Sequence, residues 1–383
     1  MRKILYFTHQ PSPYRVDFFN EIGKFTDLTV VYERNLAHNR NAQWYSQKAI
    51  NFKTLTLKMT KFFGCEFALS KKIINEIKAD IIIFGGYSSL SAMLAIFYCQ
   101  FKGIPYSISS DGSFPTSSIL KRFLKRMIFR KTEYFFSPSK LTNLALRECG
   151  VQEEQIVSYH FTSLRKEDFQ KIWGDELLNK FNMNTFLNVR HKERKEMRNR
   201  LGIKDNKMIL AVGQFIYRKG FDVLIKAAEY LEENVSIYIV GDEPTEEYLS
   251  IVENIGLKNI HFVGFKIKQE LTQYYLAADV FVLPTREDIW GLVINEALAY
   301  GLPVISTKRC MAALELVKNE ENGFIVDVDD DISLSEKMNI IVHNDNLADN
   351  MSFYSFSKIQ EYTIEQMAKD HLFVIDQYKY GNN

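Results

Sequence analysis

The chain has 383 residues, 46% apolar and 25% charged, with 18 glycines and 8 prolines, which excludes a disordered or collagen-like polymer and predicts two domains. Its four cysteines, Cys65, Cys99, Cys149 and Cys310, share no CxxC spacing, which argues against a disulfide framework or structural zinc and suits a reducing cytosol. The net charge of +1 conceals an asymmetry: residues 1–172 carry 25 Lys and Arg against 14 Asp and Glu, and the remainder 23 against 33. A basic half joined to an acidic half predicts two domains with different partners. The opening MRKILYFTHQPSPYR has too short an apolar run for a signal peptide.

In chain order, short β-branched or aromatic runs alternate with helical stretches. The first half reads as strands at Ile4–Thr8, Leu28–Tyr32, Ile81–Phe84, Tyr106–Ser109 and Tyr134–Phe136, with helices at Val16–Lys24, Ser91–Phe101 and Leu120–Lys131. The second half repeats the scheme with strands at Met208–Val212, Ser236–Val240, Ile260–Val263, Val280–Leu283, Val304–Ser306 and Gly323–Val326. This alternation predicts an α/β chain of two Rossmann-like domains with parallel sheets, facing each other across one cleft. The expected boundaries are 1–165, an irregular linker at 166–189, a second domain at 190–345, and a helical tail at 346–383 packing back toward the first domain. Residues 81–99 carry no charge, yet Gly85-Gly86 splits them into a strand and a separate helix rather than a membrane span.

Ligands of open parallel sheets bind beyond the carboxyl ends of the strands, so the loops after them hold the candidates. Gly213 follows one strand directly, and Arg218-Lys219-Gly220 stands where the next helix starts. Free amides and two cations there make a phosphate cradle, the alternative being a solvated basic turn. Neither GxGxxG nor GxxxxGK[ST] is present, so nicotinamide and P-loop readings lose their support. Further on, Asp288 and Glu296 stand eight apart in EDIWGLVINEALAYG, with Gly291 opening a helix between them. A loop carboxylate and a helix carboxylate on one cleft can accept hydrogen bonds from sugar hydroxyls, while amides near Gly291, Leu292 and Val293 hold phosphate oxygens.

These motifs resemble the donor-binding domain of the GT-B retaining glycosyltransferases of family 4, surface-polysaccharide type. The resemblance covers residues 207–330 and rests on GQFIYRKG, Val263-Gly264-Phe265, DIWGLVINE and NGFIVD. It implies that Arg218 and Lys219 bind a nucleotide diphosphate, Glu296 the ribose, Asp288 the transferred sugar, and the backbone near Phe265 the base. The family's first carboxylate is usually Glu, and here Glu287 stands beside Asp288, so either can be the sugar contact. The resemblance further implies transfer from a nucleotide sugar to a lipid-linked glycan acceptor, without a bound metal or other cofactor. The first half resembles the acceptor domain more weakly. There Arg15 can touch a phosphate or an acceptor, or be a surface charge. Asp111 can face the reacting centre, or cap a helix.

Two further features bear on partners. In SILKRFLKRMIFRK, Lys121, Arg122, Lys125 and Arg126 share a helical face, which suits an anionic bilayer and a peripheral place on the inner face of the membrane, or else a core-packed helix with a solvated side. Nucleic acid is not expected, because no recognised binding module is present. Asp327-Val328-Asp329 matches a DxD metal motif but lies in an acidic loop, and none of the seven histidines has ligand spacing, so no metal site is expected. The rival readings are a sugar-nucleotide epimerase on the same two-domain fold and a silent interaction protein. The first needs a carboxylate and histidine set in the cleft, and the second predicts loss of Arg218 and Lys219.

Overall fold

Near-continuous apolar runs become central strands because helices cover both faces of a parallel sheet. The computed structural model describes residues 1–34, 48–62, 65–204 and 207–377. It divides into two units: Met1–Ser163 with the segment from Tyr362 onward, and Leu164–Glu361.

The first unit contains β1 (Lys3–Thr8), α1 (Pro13–Gly23), β2 (Asp27–Tyr32), β3 (Lys53–Thr56), a small antiparallel hairpin β4 (Thr60–Phe62) and β5 (Cys65–Phe67), and α2 (Lys71–Ile77). It continues with β6 (Ile81–Phe84), α3 (Leu90–Lys102), β7 (Tyr106–Ser109), α4 (Ile119–Phe129), β8 (Thr132–Ser137), α5 (Lys140–Glu148) and β9 (Ile156–Ser158). Seven parallel strands lie in the order β3-β2-β1-β6-β7-β8-β9. The chain winds one way from β1 and the other way from β6, so the switch point of this sheet lies between those two strands. Residues Ile81–Phe84 are fully buried and α3 has 13 residues; no helix among the described residues is long and apolar enough to cross a membrane.

The second unit contains α6 (Lys166–Asn179), α7 (Met183–Leu201), β10 (Lys207–Val212), α8 (Phe221–Ala227), β11 (Val235–Val240), α9 (Glu246–Ile255), β12 (Ile260–Val263) and α10 (Lys268–Ala277). Then follow β13 (Val280–Leu283), α11 (Leu292–Ala299), β14 (Val304–Thr307), α12 (Met311–Leu316), β15 (Gly323–Val326), α13 (Asp331–Val342) and α14 (Asp345–Ile359). Its six parallel strands run β12-β11-β10-β13-β14-β15, which puts the switch point between β10 and β13. A last helix, α15 (Ile364–Gln377), packs on α1 of the first unit.

The segment 166–189, expected as an irregular linker, is instead helical and belongs to the second unit. Its periodicity is hard to read because α6 is kinked at Gly174, with φ +73°, and α7 is anchored largely by arginines. Arg190 is buried and donates to the carbonyls of Leu276 and Ala278, each at 2.6 Å, while Arg194 and Arg198 pair with Asp279. Those cations satisfy the orphan carbonyls that end α10. The tail also divides: α14 stays with the second unit and only α15 joins the first. On α15, buried His371 stacks on Phe136 at 4.1 Å and meets Phe18 and Tyr159 edge-on. Burial pushes its imidazole down to about 4.

Candidate functional site

The switch point of the second unit gathers the residues after β10 and after β13. A 3-10 turn at Tyr217–Lys219 ends at Gly220, whose φ is +70°; a Cβ there would sit 2.1 Å from the Pro284 carbonyl oxygen. Only glycine allows that approach, and the approach locks the two loops together. The Arg218 carbonyl accepts from the Arg286 amide and the Thr285 hydroxyl, both at 2.8 Å. The chain therefore delivers Lys219 to Asp288, with Nζ to Oδ2 at 2.6 Å and both side chains largely buried. Arg218 adds a second contact, 3.3 Å from the other Asp288 oxygen, and donates to the Glu287 carbonyl at 2.6 Å.

Asp288 and Glu287 part company here. The Glu287 carboxylate, half exposed, is held by Arg309 at 2.7 Å, whereas Asp288 faces the two cations. The backbone decides it: Asp288 donates its amide to the Arg309 carbonyl and accepts from the Met311 amide, which fixes the loop as a bridge beside Cys310. Gly291, with φ +99°, then starts α11; a Cβ there would lie 2.8 Å from the buried Cys310 sulfur. Leu292 and Val293 open that helix half-buried. Glu296, in its middle, accepts a hydrogen bond from the Tyr275 hydroxyl of α10 at 3.1 Å. Burial first, and the Glu296 charge second, push the Tyr275 phenol up. Gly213 directly follows β10, with the Lys219 side chain against it. Phe265 lies half-buried in the loop after β12, beyond Gly264.

One residue that the motif reading passes over holds this arrangement together. Arg286 pairs with Asp222 through two bonds of 2.8 and 2.6 Å, with Asp329 at 2.7 Å, and lies 4.0 Å from the centroid of the Tyr217 ring. Its only sequence signal is its place one residue before Glu287. Asp329 of the DxD pattern is thereby engaged, and Asp327 pairs with Lys308 at 2.7 Å. No cluster of three or more metal-ligating side chains occurs among the described residues.

In the first unit, Arg15 and Asp111 meet at the carboxyl ends of β1 and β7. Arg15 is no surface charge: its side chain is largely buried and binds Asp111 at 2.5 Å, the Tyr14 hydroxyl at 3.0 Å and the Thr8 hydroxyl at 2.8 Å. Gly85, after β6, leaves room for it, since a Cβ there would come within 2.8 Å of the guanidinium. Tyr14 also donates to Asp111, at 3.1 Å. Asp111 caps no helix, because α4 begins at Ile119 and is capped by Ser118.

The basic helix α4 differs from its expected form. Arg122 and Lys125 are half-buried, and the Lys125 amine donates to Ser113 at 3.0 Å. Only Ile128 and Phe129 are buried, so Ile119, Leu120, Phe123, Leu124 and Met127 stand exposed beside Lys121 and Arg126. The helix thus presents five apolar side chains to solvent beside Lys121 and Arg126, while Arg122 and Lys125, expected on the same open face, are partly covered.

Comparison with known proteins places this geometry. Residues 193–357 match the model of the family Glycosyl transferases group 1. An uncharacterized glycosyltransferase of Haemophilus influenzae is 26% identical over 50% of this chain and 55% of its own length. The lipopolysaccharide glucosyltransferase WaaG of Escherichia coli is 32% identical over 30% of this chain and 31% of its own. These matches thus span about half, or less, of the relatives' length. Solved structures match end to end: Anabaena Alr3699/HepE in complex with UDP has a TM-score of 0.76 at 15% identity, covering 98% of this chain and all of that one. WaaG has a TM-score of 0.64 at 14% identity, covering 99% and 100%. The fold is therefore GT-B, with two doubly wound α/β units.

Proposed function

We propose that this chain, whose residues 193–357 match the model of the group 1 glycosyl transferases, is a retaining family 4 enzyme. In this reading it moves a hexose-like unit from a nucleotide sugar to a lipid-linked glycan in surface-polysaccharide synthesis. The observation that carries it is the Lys219–Asp288 pair at the switch point, backed by Arg218. A diphosphate arriving there competes with Asp288 for Lys219. Lys219 and Arg218 turn to the phosphates, with amides at the start of α11, and the Asp288 carboxylate is released to sugar hydroxyls. As the sugar–oxygen bond breaks, negative charge grows on the departing diphosphate, and the two cations stabilise it without requiring a metal. Glu296, held by Tyr275, is positioned to accept from the ribose hydroxyls, and the backbone at Phe265 to meet the base. Asp111, aimed by Arg15 and Tyr14, serves the acceptor side. The relative named as a lipopolysaccharide glucosyltransferase supports that substrate class.

The exposed apolar face of α4, flanked by Lys121 and Arg126, supports peripheral association with the inner, anionic face of the membrane. Screening UDP-, GDP-, dTDP- and CMP-sugars by slow hydrolysis tests the transferase reading, and hydrolysis of none of them rejects it. Co-sedimentation with anionic and neutral vesicles tests the membrane reading; Phe123→Ser with Leu124→Ser should weaken it at least as much as removing the four cations.

A further inference from the structure

The switch point of the first unit holds a polar group that the donor chemistry does not use. His9 follows β1, Glu33 follows β2 and Ser89 lies in the loop after β6, far apart in sequence. The Glu33 carboxylate, buried at 8% exposure, accepts from the His9 imidazole Nδ1 at 3.0 Å and from the Ser89 hydroxyl, which in turn caps α3 by accepting from the Ala92 amide. Backbone bonds fix the same corner: the Glu33 amide donates to Thr8 and the Arg34 amide to His9. A buried carboxylate on one ring nitrogen sets the tautomer, with the proton on Nδ1 and the Nε2 lone pair outward. His9 itself is largely exposed, and its Nε2 has no partner among the described residues. At the end of β2, just before Glu33, the Tyr32 hydroxyl is buried and likewise has no partner among the described residues. Thr8, next to His9, bonds Arg15, so this group adjoins the Arg15–Asp111 pair.

We propose that His9, oriented by Glu33 and Ser89, is a hydroxyl-binding residue of the first unit, its Nε2 accepting a hydrogen bond from a sugar hydroxyl of the acceptor glycan. Three facts converge on this. The imidazole stands where open parallel sheets bind ligands, between β1 and β6. Its Nδ1 is committed to a buried carboxylate, so Nε2 is an acceptor rather than a donor. An aimed acceptor nitrogen selects a hydroxyl over a bare phosphate oxygen, which offers no proton. Glu33 is a positioning residue, acting through His9. Naming the hydroxyl as the acceptor's rests on the transferase reading; the site itself does not.

The test uses the full chain with ¹⁵N-labelled histidine and long-range imidazole spectra, His9 being assigned by its loss in His9→Gln. The expected spectrum shows His9 protonated on Nδ1 and bare on Nε2. Titration with methyl glucoside, methyl galactoside and methyl N-acetylglucosaminide should move the His9 Nε2 signal and leave those of His191 and His343 in place. Glu33→Gln should shift His9 toward the other tautomer and weaken glycoside binding about tenfold, the loss of one hydrogen bond in free energy. Nucleotide binding, measured on the same samples, should be unchanged in both variants. An Nε2–H tautomer in the wild-type protein, a His9 signal that no glycoside moves, or equal glycoside binding by His9→Gln overturns the assignment. If nucleotides also fail to bind the wild-type protein, the transferase reading fails separately.

Discussion

Each unit sets a cation against an aspartate at the carboxyl ends of its strands, and the two pairs are built for different work. In the first, the Arg15 guanidinium divides its donors among Asp111, Tyr14 and Thr8, and burial is compensated at each contact. The Asp111 charge and those contacts hold it firmly protonated, against the burial that opposes it. Arg15 is a strut that aims Asp111. In the second unit, the Lys219 ammonium spends its one described side-chain contact on Asp288, a rotatable point charge on a flexible stem. Such a pair can exchange partners when an anion arrives. Closely similar distances, 2.5 and 2.6 Å, therefore hide a structural pair and an exchangeable one.

If that contrast is right, the two cations fail differently. Arg15→Met should destabilise the first unit by on the order of 1–2 kcal/mol, because Asp111, partly exposed and still bonded by Tyr14, loses its cation and the Thr8 hydroxyl loses a donor. Hydrogen exchange of the β1 and β7 amides would show it as faster opening there, with the second unit unchanged. Lys219→Ala should leave stability nearly intact, since Arg218 still faces Asp288, and should lower donor turnover about 100–1000-fold. A Lys219→Ala protein with near-normal turnover would sink the phosphate assignment. An Arg15→Met protein of full stability would sink the strut.

His371 extends the comparison to pH. Its imidazole is neutral in the fold and titrates near 4, against an ordinary value of 6.5. Its contribution is thus full above pH 6.5 and is lost as pH falls toward 4, at about 1.4 kcal/mol per unit, or about 3 kcal/mol across the window. Neighbouring Asp370 is held below the usual carboxylate range by its hydrogen bonds from His160, despite partial burial, so its effect falls at lower pH. The first unit should lose protection between pH 6.5 and 4 while the second does not, and His371→Gln should flatten that slope.

How much of this was legible in the sequence follows the same division. The second unit's strands could be read directly, because a buried parallel strand is a continuous apolar run, and Lys219 and the Glu287–Asp288 pair could be named as candidates, because the ligand loops carry their glycines in place. Gly220 and Gly291 mark where the chain turns with positive φ beside Pro284 and Cys310. What escaped depends on pairing across the fold. Arg15 reads equally as a phosphate or acceptor contact and as a surface charge until Asp111, 96 residues away, is brought to it, and Glu33, just past a strand, carries no signal until His9 and Ser89 arrive. The edge strand β3, exposed at every position, has no apolar run to reveal it. Helix α4 misleads in the opposite direction: its periodicity is genuine, but periodicity does not say which face is covered.

The finest distinction lies within the second unit, between adjacent carboxylates. Glu287 is half exposed and bound to Arg309, so Glu287→Gln exchanges one solvated ion pair for a neutral amide and should cost less than about 1 kcal/mol in either binding or turnover. Asp288→Asn keeps the shape but removes the charge that Lys219 balances. With no carboxylate to compete for it, Lys219 is free for the diphosphate, and the product nucleotide should bind as well as before or slightly better. Turnover should fall, because the sugar hydroxyls lose a charged acceptor in the transition state. Glu296→Gln is the complementary case: it weakens the acceptor held by Tyr275 and should reduce nucleotide affinity itself. Calorimetry with the product nucleotide, beside initial rates with the full donor, separates the three. If Glu287→Gln is the crippled variant and Asp288→Asn is not, the sugar contact belongs to the outer carboxylate and the exchange at Lys219 plays no part in the reaction.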